Sequence, residues 1–212
     1  MKKYFFVFVI TLLCGFSTVG YAQKPSIQSV QQCMRSLPQE LKDVSSQFKI
    51  NGKQVKFPYV KTSFSDMESN LKGLGYRQGY KGPLCLVSVY MYDMGLPFVT
   101  EDLSKKMLLM NVKSIDEKNN NNGFKHWDGV SGGSLNDAVL VFDANGYGTH
   151  SGFSNNKEVE SWTIGAYRGY LIKGRTTCEQ NISLKDSIAY AETETRRVMG
   201  AVVKSLDECF DK

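Results

Sequence analysis

The chain has little of what most catalytic and metal centres require. Among its 212 residues there are 2 histidines, His126 and His150, and neither a C-x-x-C nor an H-x-x-x-H spacing occurs. Structural and catalytic zinc sites use such closely spaced ligands, so we expect no metal site. Neither a P-loop nor a dinucleotide-binding G-x-G-x-x-G is present, and we therefore expect no cofactor.

A strong excess of charge is also missing. Lysine and arginine total 26 against 21 acidic residues, which gives a net charge of +5, and the positive residues are scattered along the chain. Nucleic-acid-binding proteins concentrate basic residues in a patch or stripe, so we expect no nucleic-acid partner. A basic amphipathic helix of the kind that lies on a membrane surface is not evident either.

Long apolar runs are absent except at the amino terminus. Two lysines precede an apolar run over residues 4–13, and Gly20 and Ala22 place small residues at the positions read by a signal peptidase. This pattern predicts a signal peptide over residues 1–22, cleaved near Ala22, and hence a periplasmic or secreted protein. The rest, residues 23–212, has the length of a single domain, and no later run approaches the ~20 apolar residues needed for stable membrane insertion.

Four cysteines follow the predicted cleavage site, namely Cys33, Cys85, Cys178 and Cys209. An even number in an exported chain indicates two disulfides, for which three connectivities are possible. We favour Cys33–Cys209, because both residues fall on predicted terminal helices, together with Cys85–Cys178, because both fall on predicted strands.

The clearest strand covers residues 84–93. Leu86, Ser88 and Tyr90 alternate with Val87 and Val89, and both of the resulting faces are largely apolar. A strand with two apolar faces is typical of the middle of a sheet, so we expect residues 76–94 to form a central hairpin that is covered on each side.

Helices are predicted near both ends and in the middle of the chain. They are two short helices over residues 26–48, one that begins at Thr100 and a long amphipathic one that begins at Ser183. A capping-box spacing over residues 65–68 predicts a further short helix, and Asn145-Gly146 predicts a hairpin turn. The expected fold is α+β, an antiparallel sheet of about six or seven strands packed with N-terminal, middle and C-terminal helices.

One pair of residues could support catalysis. Cys85 precedes His150, and a cysteine–histidine pair is the centre of exported peptidoglycan and peptide amidases. The β-forming residues after Cys85 would deprive its thiol of the helix dipole that lowers a cysteine pKa, which counts against this alternative.

A glycine-bounded segment, residues 123–133, carries His126, Trp127 and Asp128. Because loops often carry function, this segment is a possible recognition loop. The alternative is that Trp127 closes an edge of the core beside a solvated histidine.

The strand patterns GY…GY.GP…VSVYMYDMG and YRGYLIKGRTT, with a helix between them and one after them, resemble exported PsbP/Mog1-like proteins over residues 55–206. The resemblance implies an α/β/α sandwich that acts in binding or assembly, and it assigns no functional residue. The helices predicted over residues 26–48 and the four cysteines depart from that pattern.

Together these features predict a non-enzymatic, disulfide-stabilised exported binding domain whose partner is a protein or an envelope component. The alternatives are the amidase that would use Cys85 and His150, and an immunity-type inhibitor of a toxin that acts in the envelope.

Overall fold

The computed structural model describes residues 24–50, 53–68, 74–119, 125–126, 131–136, 139–149, 157–179 and 183–212. The described residues form the helices α1 Ile27–Ser36, α2 Glu101–Asn119 and α3 Leu184–Phe210. They also form the strands β1 Glu40–Ile50, β2 Lys53–Glu68, β3 Leu74–Lys81, β4 Cys85–Tyr92, β5 Lys125–His126, β6 Ser131–Leu135, β7 Val139–Thr149, β8 Lys157–Tyr167 and β9 Tyr170–Glu179.

All described strands join one antiparallel sheet in the order β1-β2-β3-β4-β9-β8-β7-β5, and β6 also pairs with β7. Since β8 occupies one edge of β7, the short strands β5 and β6 share the other edge, and the described sheet has eight strand positions. The α+β class and the antiparallel sheet are confirmed. The expected number of six or seven strands was too low.

Strand β1 was not predicted, because residues 40–50 were expected to belong to a short helix. Leu41 and Val44 are both buried, although their spacing of three is helical. The register shifts between Leu41 and Ser46, so that four residues of β1 lie opposite Pro58 alone. Proline has no N–H to donate to a neighbouring strand, and the irregularity beside it produces a spacing that imitates a helix.

Two other local signals were overruled by strand pairing. Residues 65–68 form no helix, because β2 continues to Glu68 and pairs there with β3. Asn145 and Gly146 form no turn, because they lie inside β7 and pair with Ser161 and Glu160 of β8. Local propensity is a weak prior that sheet formation can override.

Helices α1 and α3 cover one side of the sheet. The core between these helices and the sheet contains the inward residues of β4 and the apolar stripe of α3, including Val87, Val89, Met91, Val198, Val202 and Leu206. Gly174 on β9 allows α3 to approach closely, since a Cβ there would lie 2.7 Å from Thr195 Cγ2. This is the role of glycine where another element must come near the backbone.

Helix α2 covers part of the opposite side. Leu108 of α2 packs with Trp162 and Ile164 of β8 and with Ala144 of β7. Strand β4 is central, between β3 and β9, as expected. The expectation that both of its faces are covered holds at Ser88 and Tyr90, which are 4 % and 8 % exposed, but not at Leu86, and on this second side α2 itself lies over β7 and β8.

Two disulfides join distant parts of the chain. Cys33–Cys209 connects α1 to α3 with a Cα–Cα distance of 5.8 Å, and Cys85–Cys178 connects β4 to β9 at directly paired positions, 4.2 Å apart. This is the connectivity favoured from the sequence. Among the helices that the structure describes, none is both long and apolar enough to cross a membrane.

Candidate functional site

Cys85, the proposed nucleophile of the amidase alternative, is bonded to Cys178 and is 3 % exposed. A disulfide sulfur carries no thiolate, and the thiolate is the nucleophilic form of cysteine. His150 lies outside the described residues. The disulfide therefore removes the reactive group on which that alternative depends.

The predicted recognition loop falls mostly outside the described residues, which include neither Trp127 nor Asp128. The backbone of His126 belongs to β5 and pairs with Gly146 of β7. The loop's role in recognition stays a prediction.

A different surface is well defined by the described residues. On the side of the sheet away from α3, Arg77, Tyr90 and Lys173 occupy directly paired positions on β3, β4 and β9. Arg77 Cζ and Lys173 Nζ each lie 5.9 Å from the centroid of the Tyr90 ring, and Lys173 Nζ lies 4.6 Å from that of Trp162 on β8. We call this surface, completed by Arg175 and Glu160, the basic–aromatic face.

Hydrogen bonds hold the polar groups of the basic–aromatic face in place. Arg77 donates from Nε and Nη2 to Ser88 Oγ, at 3.1 and 3.0 Å. The buried Glu160 carboxylate pairs with Arg175 and accepts a hydrogen bond from Trp162 Nε1 at 3.1 Å. Glu160 is thus engaged by these two groups. No other carboxylate among the described residues forms an ion pair with Lys173 or Arg77.

The environment of Lys173 disfavours its own charge. Burial, followed by the positive charge of Arg175, lowers the pKa of Lys173 to about 8 against the opposing effect of Glu160. Cation–π contacts with Trp162 and Tyr90 replace part of the lost hydration. The basic–aromatic face therefore presents three cations and one carboxylate around two aromatic rings.

The rim of this face is partly apolar. Val60, Lys81 and Leu86 lie side by side on β2, β3 and β4, and the two apolar residues are 47 % and 40 % exposed. A cavity of about 350 Å³ lies at the same end, between residues 81–86 and the Glu160–Arg175 pair. A basic centre beside exposed apolar residues can bind a ligand that has both acidic and apolar groups.

A larger groove, of about 630 Å³, lies between β1 and α3. Its two arginines are already neutralised, because Arg196 pairs with Asp143 and Glu192, and Arg197 pairs with Glu194 at 3.0 Å. Lys42 and Lys204 also line the groove, but so do the acidic residues Glu40 and Glu208, whereas the carboxylate of Glu160 in the basic–aromatic face is already engaged. We therefore take the basic–aromatic face as the candidate functional site.

Sequence reasoning missed Arg77, Lys173 and Arg175. The sequence pattern that could have found them is strand parity. Lys173 and Arg175 are two residues apart within YLIKGRTT and so share a face of that strand, and Arg77 lies within YRQGYK. Parity shows which residues of one strand share a face, but the register that aligns Arg77 with Tyr90 and Lys173 depends on pairing across strands.

No protein-family model matches this chain, and no curated protein matches it significantly. The basic–aromatic face is consequently defined by its geometry alone. The resemblance over residues 55–206 stays a prediction.

Proposed function

We propose that this protein is a non-enzymatic binding domain that is exported to the periplasm or secreted, and that it binds a protein or another envelope component. The observation that carries the proposal is the basic–aromatic face, where Arg77 and Lys173 flank Tyr90 without a carboxylate partner among the described residues. Arginine is enriched at the energetic centres of protein interfaces, and here Tyr90 and Trp162, which are 8 % and 3 % exposed, support the cations rather than offer contact area.

The disulfides support a preformed surface. Cys85–Cys178 links β4 to β9, the two strands that carry Tyr90 and Lys173, and so fixes their register from one end. A rigid surface loses less conformational entropy on binding than a mobile one. Disulfides also fit an oxidising compartment, which agrees with the proposed export.

The resemblance of residues 55–206 to PsbP/Mog1-like proteins, which mostly act in binding or assembly, agrees with this proposal. An immunity-type inhibitor of an envelope-acting toxin would be one form of such protein binding, and no described residue favours it over the others.

The test is affinity capture from an envelope extract with the oxidised mature protein. An Arg77→Glu/Lys173→Glu variant should lose the captured component, whereas a Lys105→Glu variant should keep it. Lys105 is a matched control, because its ammonium also lies over an aromatic ring, Phe142 at 5.8 Å, but on helix α2. Capture that is equal in all three proteins would remove the basic–aromatic face as the binding site.

A Trp127→Ala variant in the same experiment tests the predicted recognition loop. Loss of capture there, with full capture by the Arg77 and Lys173 variant, would move the binding site to residues 123–133. Cell fractionation and intact mass test the proposed export, for which we expect a chain that begins near Gln23 with both disulfides formed.

A further inference from the structure

Lys173 is a desolvated cation that lacks an acid partner among the described residues. We infer that Lys173, together with Arg77, binds carboxylates on an acidic, extended segment of a partner protein. This inference rests on the proposed binding function and names the chemistry that the basic–aromatic face recognises.

The geometry suits two neighbouring carboxylates. Arg77 and Lys173 lie on the two strands that flank β4, so their Cα atoms are about 10 Å apart, at twice the spacing of adjacent strands. Both cationic groups lie 5.9 Å from the centroid of the Tyr90 ring that separates them. Acidic side chains at alternate positions of an extended segment are about 7 Å apart and extend from one face, so they can reach both cations.

The groups already present do not serve this purpose. Glu160 is held by Arg175 and by Trp162 Nε1, and Arg175 adds a second positive charge beside Lys173. A carboxylate supplied from outside would form a charge-assisted hydrogen bond in a site that has already lost much of its water. Binding would therefore relieve an unfavourable interaction as well as form a new one.

The recessed position of Lys173 favours a protein segment over a lipid surface. The ammonium lies between two rings, and the exposed apolar residues Val60 and Leu86 lie to one side on a sheet face. Peripheral membrane binding uses basic and apolar side chains that project from the surface into the headgroup region. A single glutamate or aspartate side chain, by contrast, can approach a half-buried ammonium from the solvent side of the sheet.

The test uses a synthetic peptide of alternating glutamate and valine and a matched peptide of alternating glutamine and valine. Calorimetric titration of the oxidised mature protein should show binding of the glutamate peptide and a loss of at least tenfold, of the order expected for a charge-assisted contact, in Lys173→Gln and in Arg77→Gln. Lys105→Gln should bind as the wild-type protein does. Equal binding of both peptides, or full binding by Lys173→Gln, would overturn the inference.

A pH series gives a second readout. Over the range from about pH 7 to about pH 9, affinity for the glutamate peptide should fall about tenfold as Lys173 loses its proton, and Lys173→Arg should abolish this dependence. The other ionisable groups around Lys173 are Arg77, Arg175, Glu160 and Tyr90, and all four are retained in Lys173→Arg, so that variant isolates the contribution of Lys173. A wild-type affinity that does not change with pH would contradict the role of Lys173.

Vesicles with and without an anionic lipid complete the experiment. Binding to anionic vesicles alone, without binding of the glutamate peptide, would refute the carboxylate inference in favour of a membrane surface. If envelope capture depends on the basic–aromatic face but the peptide does not bind, the binding function stands and the carboxylate chemistry fails. If neither depends on the face, both proposals fail.

Discussion

Replacement of Lys173 by methionine should make the protein more stable near neutral pH. Methionine keeps the length and apolar stem that cover Trp162, and it removes the charge that the surroundings disfavour. Natural proteins often retain such unfavourable groups where function requires them, so a gain in stability accompanied by a loss of binding is the signature we expect of a binding residue.

The magnitude follows from the pKa of Lys173. A lowering from the ordinary value of 10.5 to about 8 disfavours the charged form in the folded protein, and at about 1.4 kcal/mol per pKa unit this amounts to about 3.5 kcal/mol. The cation–π contacts, worth about 1–2 kcal/mol when partly desolvated, are lost in the variant. The net increase in the free energy of unfolding is therefore about 1.5–2.5 kcal/mol.

The assay is equilibrium unfolding in urea of the oxidised wild-type and Lys173→Met proteins, at several pH values. Below pH 8 the lysine is protonated in both the folded and the unfolded wild-type protein, so the full unfavourable effect is present. Between pH 8 and 10.5 the folded state binds fewer protons than the unfolded state, so wild-type stability rises relative to the variant and the difference shrinks. Lys105→Met controls for the general effect of removing one positive charge.

Two results would refute this reasoning. The first is a Lys173→Met protein that is less stable than wild type near pH 7. That result would mean that the contacts of the ammonium stabilise the folded protein by more than its burial destabilises it. The second is a stability difference that stays constant from pH 7 to pH 10.5, since a titrating Lys173 cannot produce it.

Three further predictions concern the scaffold. The mature protein should show no thiol that reacts with a thiol reagent without reduction, and a reactive Cys85 would restore the amidase hypothesis. Joint replacement of Cys33 and Cys209 by serine should lower the free energy of unfolding by about 3–5 kcal/mol, because the bridge closes a loop with a sequence separation of 176, and an unchanged urea midpoint would contradict this. Gly174→Ala should lower the free energy of unfolding by about 1–3 kcal/mol, because its Cβ would overpack against α3. A variant that unfolds at the same temperature as the wild-type protein would show instead that α3 can move aside.

Some errors in the fold arose where chain-local patterns resembled other structures. The spacing of Leu41 and Val44 indicated a helix only because the register irregularity opposite Pro58 shifts their directions within a strand. Asn145-Gly146 indicated a turn, but β7 pairs with β8 through it. In both cases the hydrogen bonds of a neighbouring strand decide the conformation, and the neighbour is not visible from the local sequence.

The sequence by itself determined the strand over residues 84–93, the amphipathic helix that begins at Ser183 and the presence of two disulfides. Alternation of apolar residues, capping and an even number of cysteines are local or compositional properties, so they can be read without knowledge of the fold. Only the tertiary structure decided that Arg77, Tyr90 and Lys173 meet on one face without a paired carboxylate among the described residues. Arg77 and Tyr90 belong to one hairpin, but Lys173 lies far along the chain from both, and the register of β3, β4 and β9 brings the three side chains together.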